Sequence, residues 1–112
     1  MKSSNLDAMF KGWFVGDFDP TILKSDQFEV GVKYYDAGEK EERHVHKVAT
    51  EITVVVEGSI RMCDRTWHKG DIIVIEPGES TAFEALSDAV TTVVKVPSVK
   101  DDKYILGEDQ TG

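Results

Sequence analysis

The chain has 112 residues, a length that allows one domain, and its 40% hydrophobic and 30% charged residues are typical of a folded globular protein. Its 13 basic and 21 acidic residues give a net charge of −8, which excludes nucleic acid and anionic membranes as expected partners. No apolar run is long enough to span a bilayer, no secretory signal is visible, and the lone Cys63 cannot form an intramolecular disulfide, so we expect a cytoplasmic protein.

Short helical turns and one strand are predicted before residue 28. Asn5 or Ser4 can cap a first turn, which Gly12 can end. The run over residues 13–15 is typical of a short strand. A second turn is expected over residues 19–23, because an aspartate there is followed by a proline at the first helical position.

From residue 28 onward the pattern is typical of β-strands. Apolar and polar residues alternate over residues 28–35, as in a strand with one buried face. The other predicted strands cover residues 52–56, 60–62, 66–68, 72–75, 81–86 and 90–96. A tight hairpin turn is predicted at residues 63–65, where Cys63 is expected to be a buried structural thiol. Many short strands without crossover helices favour an all-β antiparallel sandwich or barrel.

One domain is expected to span residues 1–112, because no repeat or linker divides the chain. Residues 1–27 form its N-terminal strand and turns, residues 28–97 a barrel, and residues 98–112 a C-terminal extension. In that extension we expect a solvated turn over residues 100–103 and a frayed tail over residues 107–112.

Two histidines and a glutamate form a candidate metal site. His44 and His46 are two residues apart, so in a strand both imidazoles point to the same face. Glu51 stands at the head of the next predicted strand, and a turn between them can bring its carboxylate alongside the rings. Such a set leaves open positions on Fe(II), Mn or Ni, and zinc accepts the same ligands. The alternative is that His44 and His46 are solvated in a charged surface stretch.

The spacing around these histidines resembles the first motif of the cupin superfamily. The matching positions are Gly38, His44, His46, Glu51 and Gly58. Residues 70–78 resemble the second cupin motif, except that Glu76 stands where proline is usual. Three residues after that motif, Thr81 occupies the position where cupins usually have a histidine.

This resemblance implies a cupin-type double-stranded β-helix, a jelly-roll barrel that usually forms a homodimer and binds its ligand inside. It also implies that His44, His46 and Glu51 hold a divalent metal. Thr81 is a poor ligand for such an ion. The resemblance therefore leaves two alternatives, a three-ligand metal site or a pocket that no longer needs a metal.

Further pocket residues are predicted from strand alternation. Thr81 and Phe83 share one face of their strand and are candidate ligand-binding residues. Lys33 and Tyr35 lie on the polar face of residues 28–35, which either lines the pocket or meets solvent. Lys95 interrupts an apolar run and is interpreted as a charge that protects an edge strand, the alternative being a pocket charge.

The resulting prediction is a small-molecule-binding protein with a weak divalent-metal site and an uncertain catalytic role. One alternative is a metal-free sugar or nucleotide-sugar isomerase or epimerase. Another is a non-catalytic accessory or sensor protein of carbohydrate metabolism. A homodimer is expected because strands such as residues 52–56 and 72–75 carry apolar residues on both faces, more than one interior can bury.

Overall fold

Eleven β-strands and one short 3₁₀ helix make up residues 1–106, the part of the chain that the computed structural model describes. The strands are β1 (Trp13–Gly16), β2 (Leu23–Lys24), β3 (Glu29–Tyr35), β4 (Lys40–Val45), β5 (Thr50–Glu57), β6 (Ser59–Met62), β7 (Arg65–His68), β8 (Ile72–Ile75), β9 (Ser80–Ala85), β10 (Ala89–Val96) and β11 (Tyr104–Ile105). Within these residues no helix has the length and hydropathy that a membrane span requires. The predicted frayed tail, 107–112, lies outside the described residues.

The strands form two sheets. The six-stranded sheet has the order β2-β1-β3-β10-β5-β8, and the five-stranded sheet has the order β11-β4-β9-β6-β7. All strand pairs are antiparallel except β1 with β2. Strands far apart in sequence, such as β3 and β10, are neighbours, as in a jelly roll. The predicted all-β barrel is confirmed.

The interior changes from polar to apolar along the barrel. On β5 the buried positions are Glu51, Thr53 and Val55, in that order. The apolar end joins a core cluster of Val55, Ile60, Met62, Ile73, Ile75, Phe83, Ala85 and Ala89. The polar residues Glu51 and Thr53 and the core residues Met62 and Phe83 together line a cavity.

The predicted hairpin forms between β6 and β7, but its cysteine is not buried. Cys63 and Asp64 have φ values of 53° and 58°, the left-handed pair that a two-residue type I′ turn requires. A side chain at the tip of such a turn points away from the sheet. Cys63 is accordingly exposed, and the prediction of a buried thiol is wrong.

The N-terminal segment confirms one predicted turn and corrects the other. A 3₁₀ helix at Leu6–Ala8 is capped by Asn5, whose Oδ1 accepts the N–H of Asp7 at 2.9 Å. The turn expected over residues 19–23 does not form. Instead, Ile22 N–H donates to a β1 carbonyl at 2.9 Å, and β2 pairs parallel to β1. The hydrogen bonds to β1 satisfy backbone N–H and C=O groups that a helical turn would have paired with one another.

Candidate metal centre and ligand cavity

His44, His46 and Glu51 meet inside the barrel. His44 lies on β4 in the five-stranded sheet, His46 follows the end of that strand, and Glu51 lies on β5 in the six-stranded sheet. Their exposed fractions are 7%, 5% and 6%, so the solvated alternative is wrong. One ligand atom from each residue lies within 4.8 Å of the other two. These three buried residues can hold a metal ion.

Backbone carbonyls orient both imidazoles. The Nδ1 atom of His44 is 3.0 Å from the Glu42 carbonyl oxygen, and that of His46 is 2.7 Å from the Asp102 carbonyl oxygen. A carbonyl only accepts, so we assign the proton of each neutral ring to Nδ1. The Nε2 lone pair of each ring is then free to bind a metal ion. Metal-binding histidines in proteins commonly have this arrangement, in which the other ring nitrogen donates its proton to a carbonyl or carboxylate.

The Nε2 atom of His46 provides the test of whether a cation fits. It lies 3.3 Å from Oε1 of Glu51 without hydrogen-bond geometry, and within residues 1–106 it is a buried atom with no hydrogen-bond partner. With Nδ1 protonated, Nε2 and the carboxylate oxygen are two acceptors that face each other. A buried pair of acceptors requires a cation, either a proton or a metal ion. The donor set therefore fits a divalent metal.

The charge states of Glu51 and His44 also fit. Burial alone would raise the pKa of Glu51, but His46, the nearby Lys95 and the hydroxyl of Thr53 outweigh it and lower that pKa below its ordinary value. Thr53 Oγ1 donates to Oε2 of Glu51 at 3.1 Å. Burial also lowers the pKa of His44, which keeps its ring neutral near pH 7. An ionised carboxylate and neutral imidazoles are the forms that bind metals.

Asp102 fixes this centre from the C-terminal extension. Its carboxylate accepts the backbone N–H groups of Lys47 and Ala49, each at 2.9 Å, and of Val48 at 3.2 Å. Its backbone carbonyl holds the ring of His46. The prediction of a solvated turn over residues 100–103 is wrong for Asp102, which is only 6% exposed. No local sequence signal connects this residue to a loop more than fifty positions away.

A cavity of about 850 Å³ adjoins the centre. His44, Glu51, Lys33, Tyr35 and Phe83 all line it, so the polar face of β3 is turned inward. The rings of Tyr35 and Phe83 pack with centroids 4.4 Å apart.

Tyr35 carries a hydroxyl group into the cavity wall. This hydroxyl donates to Oε1 of Glu41 at 2.7 Å. Burial raises the pKa of Tyr35 above its ordinary value, and the charge of Glu41 raises it further. The hydroxyl therefore stays protonated at neutral pH and can act as a hydrogen-bond donor.

Solved structures share this architecture. An uncharacterised protein with a double-stranded β-helix domain from Klebsiella pneumoniae is similar with a TM-score of 0.69, 17% identity and coverage of 78% of this chain and 76% of that chain. An RmlC-like cupin from Shewanella frigidimarina has a TM-score of 0.63, 16% identity and coverages of 68% and 71%. The chain has the cupin fold.

Other comparisons are consistent with this fold and add no family. The DMSP lyase DddQ from Ruegeria pomeroyi is similar with a TM-score of 0.62, 22% identity and coverage of 73% of this chain and 44% of that chain. No protein-family model and no curated protein matches the sequence.

Thr81 lies beside the candidate metal centre, but its hydroxyl already forms hydrogen bonds within the protein. It pairs with His44 across β4 and β9 and is buried. Its Oγ1 accepts the Cys63 N–H at 2.8 Å and donates to the Ala82 carbonyl at 2.7 Å. Thr81 is not among the residues that line the cavity. Within the described chain, the centre therefore consists of three ligands rather than four.

Lys95 lies inside the barrel, contrary to the interpretation as an edge-strand charge. Its strand, β10, lies between β3 and β5, well away from either sheet edge. Alternation along β10 turns Ala89, Thr91, Val93 and Lys95 to the same inner face. The Lys95 side chain is 16% exposed, and its Nζ is 3.6 Å from Oε1 of Glu29. It is a charge of the cavity, which sequence alternation alone could have indicated.

Proposed function

We propose that the protein binds a divalent metal at His44, His46 and Glu51 and a small-molecule ligand in the adjoining cavity. The observation that carries this proposal is the buried Nε2 of His46, which faces the Glu51 carboxylate without a hydrogen-bond partner in residues 1–106. Fe(II), Mn, Ni and Zn all accept two imidazoles and one carboxylate.

The cavity residues supply the groups that metal-dependent catalysis would require. A bound metal with open coordination positions polarises an oxygen atom of a ligand and stabilises charge that develops there. Tyr35 donates a hydrogen bond to Glu41, and its hydroxyl oxygen on the cavity wall can accept a hydrogen bond from the ligand. Glu41 accepts from that hydroxyl and orients it. The lyase among the structural neighbours supports catalysis on this fold, although fold alone does not fix function.

Elemental analysis tests this proposal. Protein purified without chelator is expected to contain about one metal ion per chain. The His46→Ala variant is expected to lose that ion while keeping its fold by circular dichroism. The matched control is His68→Ala, because His68 is exposed and its ring contacts Ser59 rather than the centre. Wild-type protein without metal after exposure to each candidate ion, or equal metal content in His46→Ala, would contradict the proposal.

A metal-free isomerase or epimerase is the second candidate. The observation in its favour is that His44 and Tyr35 both line the cavity, where an imidazole and a phenol could exchange protons with a sugar. His44 lines this cavity and His46 does not, so the base would be His44. A metal-free wild type that binds sugars would favour this function or that of a non-catalytic accessory or sensor protein in carbohydrate metabolism.

We also propose that the protein is a homodimer that uses the outer face of the six-stranded sheet. Two rows of outward side chains cross β3, β10, β5 and β8, and seven of their eight positions are aliphatic. The rows are Val30, Val94, Ile52 and Val74, and Val32, Thr92, Val54 and Ile72. At the β8 edge, Ile72 and Val74 are 64% and 52% exposed. A two-fold axis places the same face on both subunits, and an uncharged apolar face fits its own copy.

Light scattering tests this dimer. Wild-type protein at micromolar concentration is expected to have twice the chain mass, and the double variant Ile72→Lys/Val74→Lys is expected to have the mass of one chain, because it introduces like charges at the interface. Leu23→Lys is the control, since Leu23 is equally exposed but lies on β2 at the opposite edge. A monomeric wild type, or a double variant that remains dimeric, would rule out this interface.

For the compartment, we propose the reducing cytoplasm. The lone Cys63 is exposed at the tip of the β6–β7 hairpin and is a free thiol. Exposed free thiols persist where the surroundings are reducing.

A further inference from the structure

Two lysines and a tryptophan lie together on the inner face of the six-stranded sheet. Lys95 on β10 is the cross-strand neighbour of Glu51, and its charge helps to lower the pKa of that carboxylate. Lys33 on β3 faces the same cavity further along the barrel. Trp13 on β1 also lines it. We refer to Trp13, Lys33 and Lys95 as the lysine–tryptophan wall.

Gly31 determines the position of the indole in this wall. Trp13 pairs with Gly31 across β1 and β3, and a Cβ atom on Gly31 would lie 2.7 Å from Cε3 of the indole. The missing side chain lets the ring lie over β3. There it has Nζ of Lys33 at 5.2 Å and Nζ of Lys95 at 5.0 Å from its centroid. Two cations therefore approach the same aromatic ring.

The charge of this wall is only partly compensated. Nζ of Lys33 donates to the Lys11 carbonyl at 2.6 Å. Among residues 1–106, no carboxylate oxygen lies within 4.0 Å of this Nζ, so Lys33 forms no ion pair there. Within the part of the chain that the structure describes, Lys95 forms an ion pair with Glu29 alone, whose other oxygen accepts from Ser98. The cavity lining carries as many lysines as carboxylates, whereas acidic residues outnumber basic ones 21 to 13 in the whole chain. The acidic excess of the whole chain is therefore absent from the lining of this cavity.

We propose that the ligand of the cavity is a carboxylate, with its anionic group held by Lys33 and Lys95 and a planar or apolar portion packed against Trp13. Glu29 pairs with Lys95, and Glu41 and Glu51 lie on the same cavity, so the wall suits a monoanion better than a phosphate dianion. Burial lowers the pKa of Lys33, and a bound anion would relieve the cost of burying that charge. This inference rests on the proposed ligand site but not on the metal.

Benzoate and benzamide form a matched pair of probes, because they have the same shape and differ in charge. Binding is followed by isothermal titration calorimetry and by the indole N–H signal of Trp13 in NMR spectra. Wild-type protein is expected to bind benzoate saturably and at least about tenfold more tightly than benzamide, since a charged hydrogen bond is worth more than about 1.4 kcal/mol. Inorganic phosphate, the third probe, is expected to bind more weakly than benzoate.

The variants Lys33→Met and Lys95→Met keep the length of the side chain and remove its charge. Each is expected to weaken benzoate binding at least about tenfold, with binding restored by Lys95→Arg. Lys69→Met is the control, because Lys69 is an exposed lysine that pairs with Glu57 away from the cavity. Circular dichroism checks that each variant is folded.

Several results would overturn the inference. These are no saturable benzoate binding by wild type, equal binding of benzoate and benzamide, tighter binding of phosphate, or unchanged benzoate binding by both folded methionine variants. The metal-free His46→Ala variant separates the two proposals. If it and a metal-free wild type bind benzoate normally, the carboxylate site stands whether or not the metal centre does.

Discussion

Replacing Asp102 with alanine is expected to lower the free energy of unfolding by about 3 kcal/mol, because a buried charged acceptor of several hydrogen bonds is lost. Its carboxylate satisfies three consecutive backbone N–H groups, those of Lys47, Val48 and Ala49. Chemical denaturation measures the change. Asp26→Ala is the control, because Asp26 is an exposed carboxylate. A loss no larger than in the control would show that Asp102 does not support this loop.

The contribution of Asp102 is expected to depend on pH in the acid range. Burial alone would raise the pKa of this carboxyl, but the N–H donors of Ala49, Lys47 and Val48 outweigh it and hold the pKa below its ordinary 3.8. A depressed pKa in the folded state means that the stabilisation is complete above about pH 4 and is lost as the pH falls through the folded value. Wild type and Asp102→Ala should therefore differ most near neutral pH and converge at low pH.

The same substitution is expected to weaken metal binding by about 10- to 100-fold, the usual effect of removing support for a ligand. Alanine keeps the backbone carbonyl that orients His46 but removes the carboxylate that holds the loop between His46 and Glu51. Asp102→Asn retains one acceptor oxygen and should lie between wild type and Asp102→Ala. Competition with a chelator measures these affinities on protein that is still folded.

Replacing Thr81 with histidine is expected to raise metal affinity about tenfold, equivalent to about 1.4 kcal/mol, by adding a third imidazole to the centre. Thr81 is buried and is the cross-strand neighbour of His44, so a longer side chain there starts beside a metal ligand. The metal-free protein is expected to lose about 1–2 kcal/mol of stability, because the Cys63 N–H loses its acceptor.

Thr81→Val separates these two effects. It removes the hydroxyl without supplying a ligand, so it should show the loss of stability without the gain in metal affinity. Equal metal affinities for Thr81→His and Thr81→Val would mean that position 81 cannot contribute a ligand. Chelator competition and denaturation in the presence of chelator provide the two measurements.

The parts of this site that depend on local pattern could be predicted from the sequence. Strand alternation puts His44 and His46 on one face, and the short turn that follows brings Glu51 to them. The same alternation predicts that Lys33 and Tyr35 share a face, although it does not say whether that face is inside or outside. The pairing of β3 with β10 joins strands that are far apart in sequence, and it turns the face with Lys33 and Tyr35 towards the interior.

The parts that depend on distant contacts could not be predicted in the same way. Asp102 stands in a charged stretch whose composition is typical of a solvated turn, and only the docking of β11 on β4 brings it to the His46 loop. The interpretation of Lys95 as an edge-strand charge is wrong for a different reason. Its apolar neighbours made it resemble a protective surface charge, although counting alternate residues along β10 places it inside.

The position of the metal ligands on two different sheets has a mechanical consequence. His44 belongs to the five-stranded sheet and Glu51 to the six-stranded sheet, so a shared cation would act as a cross-link between the two layers. Its binding free energy would add to the free energy that holds the layers together. The core cluster joins the same two layers through apolar packing, so a bound ion would add a second, polar connection between them.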